Sequence, residues 1–167
     1  HSSYEQQKRI ANADEETGPI NLPTMKTYDI RFKAPYSMTL SGVSGSGKTT
    51  WTLNFLKNHH VLVTQTPKHL IWLYGVAQPE LFDEIKRNFS GTCEFISGFP
   101  ENFYSKIEQR KQECLICIDD LMQDVANSRE LSKLFTRGRS HLGCSILFLT
   151  QNIFPKGAET RTISLNT

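Results

Sequence analysis

The chain has 167 residues, of which 38% are hydrophobic and 22% charged, and its formal net charge is +2 at pH 7. This length suits one ordinary domain, and no apolar run is long enough to span a membrane, so we expect a globular protein without a membrane partner. A charge this near neutral gives no argument for a nucleic-acid partner, and any contact with DNA must be local.

Residues 1–27 are predicted to form a flexible N-terminal arm. The segment is polar, lacks an apolar period and contains the turn-forming residues Gly18, Pro19 and Pro23. Residues 28–167 are predicted to form a single core domain. Because the chain begins at His1 without a methionine and stops at Thr167 in a stretch typical of ordered structure, we expect a fragment whose C-terminal part is missing.

Short apolar runs alternate with amphipathic stretches along the core, which predicts an α/β fold with a mostly parallel sheet between two layers of helices. The predicted strands are residues 37–40, 70–74, 93–96, 114–118 and 145–150. Apolar residues at helical spacing predict four helices. These residues are Trp51, Phe55 and Leu56; Leu81, Phe82, Ile85 and Phe89; Phe103 and Ile107; and Leu131, Leu134 and Phe135.

A glycine-rich loop between the first strand and the first helix carries the strongest motif. Its glycines let successive backbone N–H groups converge on an anion, aided by the positive end of the helix, and we expect a Cβ at Gly47 to obstruct that wrap. Lys48 would reach the β- and γ-phosphates, and the Thr49 hydroxyl would ligate Mg²⁺. The motif G-x-x-x-x-G-K-[ST] is matched by Gly42, Val43, Ser44, Gly45, Ser46, Gly47, Lys48 and Thr49, and Thr50 completes the predicted nucleotide-binding set.

Two carboxylates follow the apolar run 114–118, at the strand end where the phosphate loop also lies. Asp119 is predicted to hold the hydration shell of the magnesium ion, and Asp120 to orient or deprotonate the attacking water. The alternative interpretation is that the pair caps a helix beginning near Leu121, since Asp favours helix starts.

The run 145–150 ends in Gln151, whose amide could reach the γ-phosphate or its water. Its alternative role is that of a turn residue at a strand end. A further strand between the loop strand and the acidic strand would provide such a sensor, whereas nucleotide kinases and GTPases place those two strands side by side.

Arg137 and Arg139 lie in a predicted loop before the last of these strands. A planar guanidinium can bridge two phosphate oxygens, so one of them could enter a neighbouring subunit's nucleotide site as an arginine finger. The alternative is a solvated basic turn at the negative end of a helix.

The cysteine spacing Cys114-x-x-Cys117 could suggest zinc or redox chemistry. Residues three apart on a strand point to opposite faces of the sheet, so the two thiols cannot hold one metal ion. The pattern is a poor disulfide framework, and we expect a reducing compartment.

The stretches GVSGSGKT, LICIDD, LFTRGRSHLGCSILFLTQNIFP and RTISLN, in this order, resemble the poxvirus-type genome-packaging ATPases of the FtsK/HerA superfamily of P-loop NTPases. Within that group the chain is most similar to ATPases of adenovirus-like elements, virophages and Maverick/Polinton transposons. The resemblance covers residues 28–167, and its specific part is residues 134–164.

The resemblance implies a three-layer P-loop core of the additional-strand type, ATP and Mg²⁺ as cofactors, ring assembly and pumping of double-stranded DNA into a capsid. The resemblance also implies capsid proteins as further partners. It implies a location in the host nucleus or cytoplasm, and at the virion during packaging. Family members continue with a core strand beyond residues 164–166, so the sheet is expected to lack its C-terminal edge here.

Matched to the family pattern, Lys48 and Thr49 take the phosphate and magnesium positions, and Asp119 is the metal carboxylate. Asp120 is the base, although much of the superfamily has Glu there, and Gln151 is the sensor. Arg137 or Arg139 falls in the finger region. Two other functions remain open: a nucleotide or small-molecule kinase, and a non-hydrolysing ATP-binding docking module.

Overall fold

The computed structural model describes residues 27–110, 113–121, 133, 134, 137, 142–151 and 161–164. The chain divides into two units, residues 1–30 and 31–167. Of the first, residues 27–30 are exposed and have no regular secondary structure.

Six strands and four helices make up the described part of the second unit. In chain order they are β1 (Ser37–Ser41), α1 (Lys48–Lys57), α2 (His59–Leu62), β2 (His69–Tyr74), α3 (Pro79–Asn88), β3 (Thr92–Ser97), α4 (Phe103–Arg110), β4 (Cys114–Asp119), β5 (Ser145–Thr150) and β6 (Arg161–Ser164). No helix in these ranges is long and apolar enough to cross a membrane.

The strands form one sheet in the order β3-β2-β4-β5-β1-β6, and every neighbouring pair is parallel. This confirms the predicted α/β fold and all five predicted strands, each to within one residue at either end. It also places β5 between the loop strand β1 and the acidic strand β4, as the additional-strand type requires. β6 was not predicted as a core strand; it pairs with β1.

Helices cover both faces of the sheet because the strands are apolar on both faces. One core, here called the α1 side, joins Phe55 of α1 and Ile85 of α3 to strand residues such as Leu40 and Leu147. The other, the α4 side, joins Phe103 of α4 to residues such as Ile116. Full burial of one such side chain contributes about 1.5–3 kcal/mol.

The predicted helices after the glycine-rich loop, after Pro79 and around Phe103 are confirmed. α3 begins with Pro79 and has Lys86 and Arg87 in its last turn, a placement that suits the helix dipole. Of the fourth predicted helix, Leu134 is buried on the α4 side, whereas Leu131 and Phe135 lie outside the described residues.

The cysteines occupy the faces expected from strand alternation. Cys114 belongs to the core on the α4 side and Cys117 to that on the α1 side, so the prediction that they face apart is confirmed. All four cysteines lie within the described residues, and no disulfide joins Cys93, Cys114, Cys117 or Cys144.

A buried histidine joins α2 to the segment before β1. The Tyr36 hydroxyl and His59 Nε2 are 3.0 Å apart, and His59 is 2% exposed. Burial, helped by the charge of His60, lowers the pKa of His59 from 6.5 to about 4. Between these two pH values the His59 imidazole is protonated in the unfolded chain and neutral in the folded chain. The free energy of unfolding therefore decreases as the pH falls from 6.5 to about 4.

We expect His59→Gln to remove this part of the acid sensitivity. Its free energy of unfolding, measured in urea at pH 7 and pH 4.5, should fall less between the two pH values than that of the wild type. At pH 7 the variant should be less stable by about 1–3 kcal/mol, because the Tyr36 hydroxyl is left unsatisfied. The matched control is His69→Gln, at an exposed histidine that begins β2. An unchanged pH dependence in His59→Gln would contradict the assignment.

Candidate active site

The glycine-rich loop leaves the carboxyl end of β1 and leads into α1. The Gly42 N–H donates to the Thr150 carbonyl at 3.0 Å, which ties the loop's first residue to β5, and the Ser46 N–H donates to the Val43 carbonyl at 3.0 Å to form a tight turn. Gly45 and Gly47 have φ of 79° and 96°. Such left-handed values explain why glycine is needed at both positions.

The reason expected for Gly47 was wrong in one respect. A Cβ built there meets no atom within 4 Å, so no protein group obstructs it. The glycine is required instead by the positive φ of the residue that caps α1.

The start of α1 presents free backbone donors. Its first helical hydrogen bond runs from the Trp51 N–H to the Gly47 carbonyl at 2.9 Å. Within the described ranges, no backbone carbonyl accepts from the N–H groups of residues 47–50. With the positive end of the helix dipole behind them, these donors fit a phosphate group.

Lys48 folds back over the same loop. Its ammonium group donates to the Gly42 carbonyl and, at 3.3 Å, to the Val43 carbonyl. Thr49 and Thr50, the next residues of α1, are exposed. The amine and the Thr49 hydroxyl thus stand at the mouth of the loop, where a bound nucleotide would carry its phosphates.

Asp119 ends β4 and lies on the α1 side, two residues beyond the buried Cys117. Burial raises the pKa of its carboxyl from 3.8 to about 6, and the charge of Asp120 acts in the same direction. The Lys48 ammonium and the Trp72 indole N–H oppose this rise. Lys48 and Asp119, 71 positions apart in the chain, are therefore close enough to interact.

Asp120 follows with a left-handed backbone, at φ 52°. Its N–H donates to the Leu149 carbonyl at 2.9 Å, so the turn after β4 is fastened to β5. The side chain is exposed, and its charge reaches Asp119. The helix that Asp120 would cap lies outside the described residues, so neither of its two predicted roles is tested.

Gln151 follows β5 at the same edge of the sheet. Its predecessor Thr150 is paired with Ser41, the last residue of β1, and Leu149 is paired with Asp119. Gln151 is exposed and stands between the loop and the acidic strand end. The sheet therefore brings together Lys48, Thr49, Asp119, Asp120 and Gln151.

The arginines are a separate matter. Arg137 is exposed, and its charge acts on the Tyr104 hydroxyl of α4, which packs on the opposite side of the sheet from α1. The structure thus does not bring Arg137 to Lys48 of its own subunit. Arg139 lies outside the described residues.

Two features of this edge were not predicted. An open cleft of ≈ 560 Å³ lies between Thr49 and the first two turns of α3, and Gln78, Glu80 and Glu84 line it. Trp72 of β2 acts on Asp119 from the neighbouring strand. Both features depend on the position of β2 and its following helix beside the acidic strand β4, and the sequence alone does not reveal that position.

The residues present suit magnesium with a nucleotide. Mg²⁺ keeps several waters and takes one or two protein oxygens in addition to phosphate oxygens, and Thr49 and Asp119 are oxygen donors at one sheet edge. Within the described ranges there is no group of three or more His, Cys, Asp or Glu side chains able to hold a metal ion by itself.

Comparison with known proteins gives one family. The family model described as Poxvirus A32 protein matches residues 26–162. No curated protein matches the chain significantly.

Proposed function

We propose that this chain, which belongs to the poxvirus A32 protein family of genome-packaging ATPases, hydrolyses ATP to move double-stranded DNA into a viral capsid. The observation that carries the proposal is the strand order β1-β5-β4. It sets the loop of Lys48 and the carboxylate of Asp119 on either side of β5, the strand that Gln151 follows. In this proposal Gln151 senses the γ-phosphate.

Each residue has a defined task in this proposal. The free N–H groups of residues 47–50 bind the phosphates, and Lys48 exchanges its loop carbonyls for β- and γ-phosphate oxygens. Thr49 and Asp119 would hold Mg²⁺, which supplies charge neutralisation at the phosphates. Asp120 accepts a proton from the attacking water, and Gln151 orients that water.

The strand order also argues against a kinase. Nucleotide kinases and GTPases place the loop strand next to the acidic strand, whereas β5 separates them here. A non-hydrolysing docking module would have no use for the carboxylate pair beside Lys48. We further propose a ring of identical subunits, contacts with capsid proteins, and action in the host nucleus or cytoplasm and at the virion.

The direct test is the ATPase rate of the protein with and without double-stranded DNA, at low salt. A packaging motor should be accelerated by duplex DNA, a kinase by its acceptor, and a docking module by neither. Single-stranded DNA of equal phosphate content serves as the control for unspecific charge effects. An ATPase rate that is indifferent to duplex DNA would refute the motor.

The position of Arg137 on the α4 side supports a role in a neighbouring subunit's site. We expect the double variant Arg137→Ala with Arg139→Ala to be inactive, since loss of an arginine finger costs roughly 10³- to 10⁵-fold in rate. Mixing it with inactive Lys48→Ala should restore partial ATPase activity, because some interfaces then join an intact loop to an intact finger. No recovery in demonstrably mixed rings would return both arginines to solvated-turn residues.

A further inference from the structure

Trp72 lies in the middle of β2, and β2 is the strand next to acidic strand β4. In the register of the two strands, Trp72 is opposite Cys117 and Tyr74 is opposite Asp119. Because side chains two residues apart share a face of a sheet, Trp72, Cys117 and Asp119 all face the α1 side. Trp72 is therefore the diagonal neighbour of Asp119, on the side that carries Lys48 and Thr49.

The indole of Trp72 is 1% exposed. Its N–H makes no hydrogen bond of normal length with any side chain or backbone group that the structure describes. The same N–H nevertheless acts on Asp119 as a hydrogen-bond donor to its carboxyl. The buried donor and the carboxyl are therefore near one another on the same face of neighbouring strands, without the geometry of a formed hydrogen bond.

Packing alone does not explain this residue. An apolar ring would fill the same space without burying a donor, and a buried donor lacking an acceptor is destabilising. The indole instead lies beside the half-buried carboxyl of Asp119 in the candidate site. Trp51 offers a contrast, since it is half-buried on α1 and stacks on Phe55 with ring centroids 5.0 Å apart.

We propose that Trp72 is a positioning residue whose indole N–H orients the Asp119 carboxylate, leaving one oxygen turned toward Thr49 and the metal. This rests on the proposed ATPase function. Trp72 touches neither nucleotide nor metal and acts only through Asp119. Groups that orient metal ligands in this way typically change metal affinity or activity by roughly 10- to 100-fold.

The sharpest test replaces Trp72 with β-(3-benzothienyl)alanine, which keeps the shape of the indole and substitutes sulfur for the N–H group. The Mg²⁺ concentration for half-maximal ATPase should rise about 10-fold or more, with an unchanged thermal midpoint. Trp72→Phe should act in the same direction, and Trp51→Phe is the matched control with wild-type Mg²⁺ dependence. Wild-type Mg²⁺ dependence in the benzothienyl variant would overturn the proposal.

A second readout separates this inference from the proposed function. The chain has two tryptophans, so in Trp51→Phe all indole fluorescence comes from Trp72. We expect Asp119→Asn in that background to shift the emission of Trp72, and Asp120→Asn to shift it less. This holds even if the protein hydrolyses no ATP, in which case only the motor is refuted. Emission unaffected by Asp119→Asn would show that the two side chains do not interact.

Discussion

Lys48→Ala should lower ATP hydrolysis by at least about 10²-fold, the typical effect of removing one group that stabilises transition-state charge. The ammonium lies over the loop on the carbonyls of Gly42 and Val43, where the phosphates would replace those carbonyls as its partners. Alanine leaves no cation in the loop. The steady-state ATPase rate measures the loss of turnover, and a nucleotide-binding assay measures the loss of affinity for ATP.

The fold should survive this substitution. Lys48 belongs to neither core and is the first residue of α1, and alanine is the best helix former. The thermal midpoint should therefore stay near that of the wild type. Lys57→Ala is the matched control, since Lys57 is an exposed lysine in the last turn of the same helix. A Lys48→Ala variant with wild-type turnover would remove the basis of the candidate site.

The substitutions Asp119→Asn and Asp120→Asn should have different effects on the ATPase reaction. Asp119→Asn should raise the Mg²⁺ requirement at least as much as the roughly 10- to 100-fold typical of groups that only orient a ligand. Asp120→Asn should keep nucleotide binding and lower turnover by roughly 10²- to 10⁴-fold, the usual contribution of a general base. Titration of Mg²⁺ at saturating ATP measures both.

Asp120→Asn should leave the backbone conformation unchanged. Asp and Asn both tolerate the left-handed backbone found there, at φ 52°. A positive φ also suits Asp better than Glu at this position. Normal turnover in Asp120→Asn would favour the helix-cap interpretation instead.

Asp119→Asn should also alter stability in a pH-dependent way. The folded pKa of about 6 lies above the ordinary 3.8, so the folded chain holds a proton that the unfolded chain releases between these values. Ionisation therefore destabilises the fold progressively as the pH rises from about 4 to 6. The variant should exceed the wild type in unfolding free energy at pH 8 and match it at pH 4. Asp120→Asn should give a smaller gain at pH 8, because it removes only the contribution of its own charge to the raised pKa of Asp119.

Local patterns were sufficient for much of the architecture. An apolar strand covered on both faces needs no partner information to be recognised, and the eight-residue loop motif carries its own chemistry in consecutive residues. Hence five strands, three helices and the loop of Lys48 follow from the sequence. The opposite orientation of Cys114 and Cys117 follows as well, because strand alternation is a local property.

β6 escaped prediction because its four residues include Arg161, Thr162 and Ser164, which lack the apolar run of a strand covered on both faces. Its pairing with β1 supplies what the pattern does not show. The left-handed turn at Asp120 also has no local signal in the sequence.

By itself the sequence determined the fold class and the phosphate loop, since both depend on residues close together in the chain. Only the tertiary structure decided which strands are neighbours, because parallel strands are joined by crossovers that leave their order open. That order sets Gln151 between Lys48 and Asp119, puts Arg137 on the far side of the sheet, and brings the indole of Trp72 to Asp119. Each of these arrangements involves residues that are distant in sequence, so it depends on how the strands and helices pack.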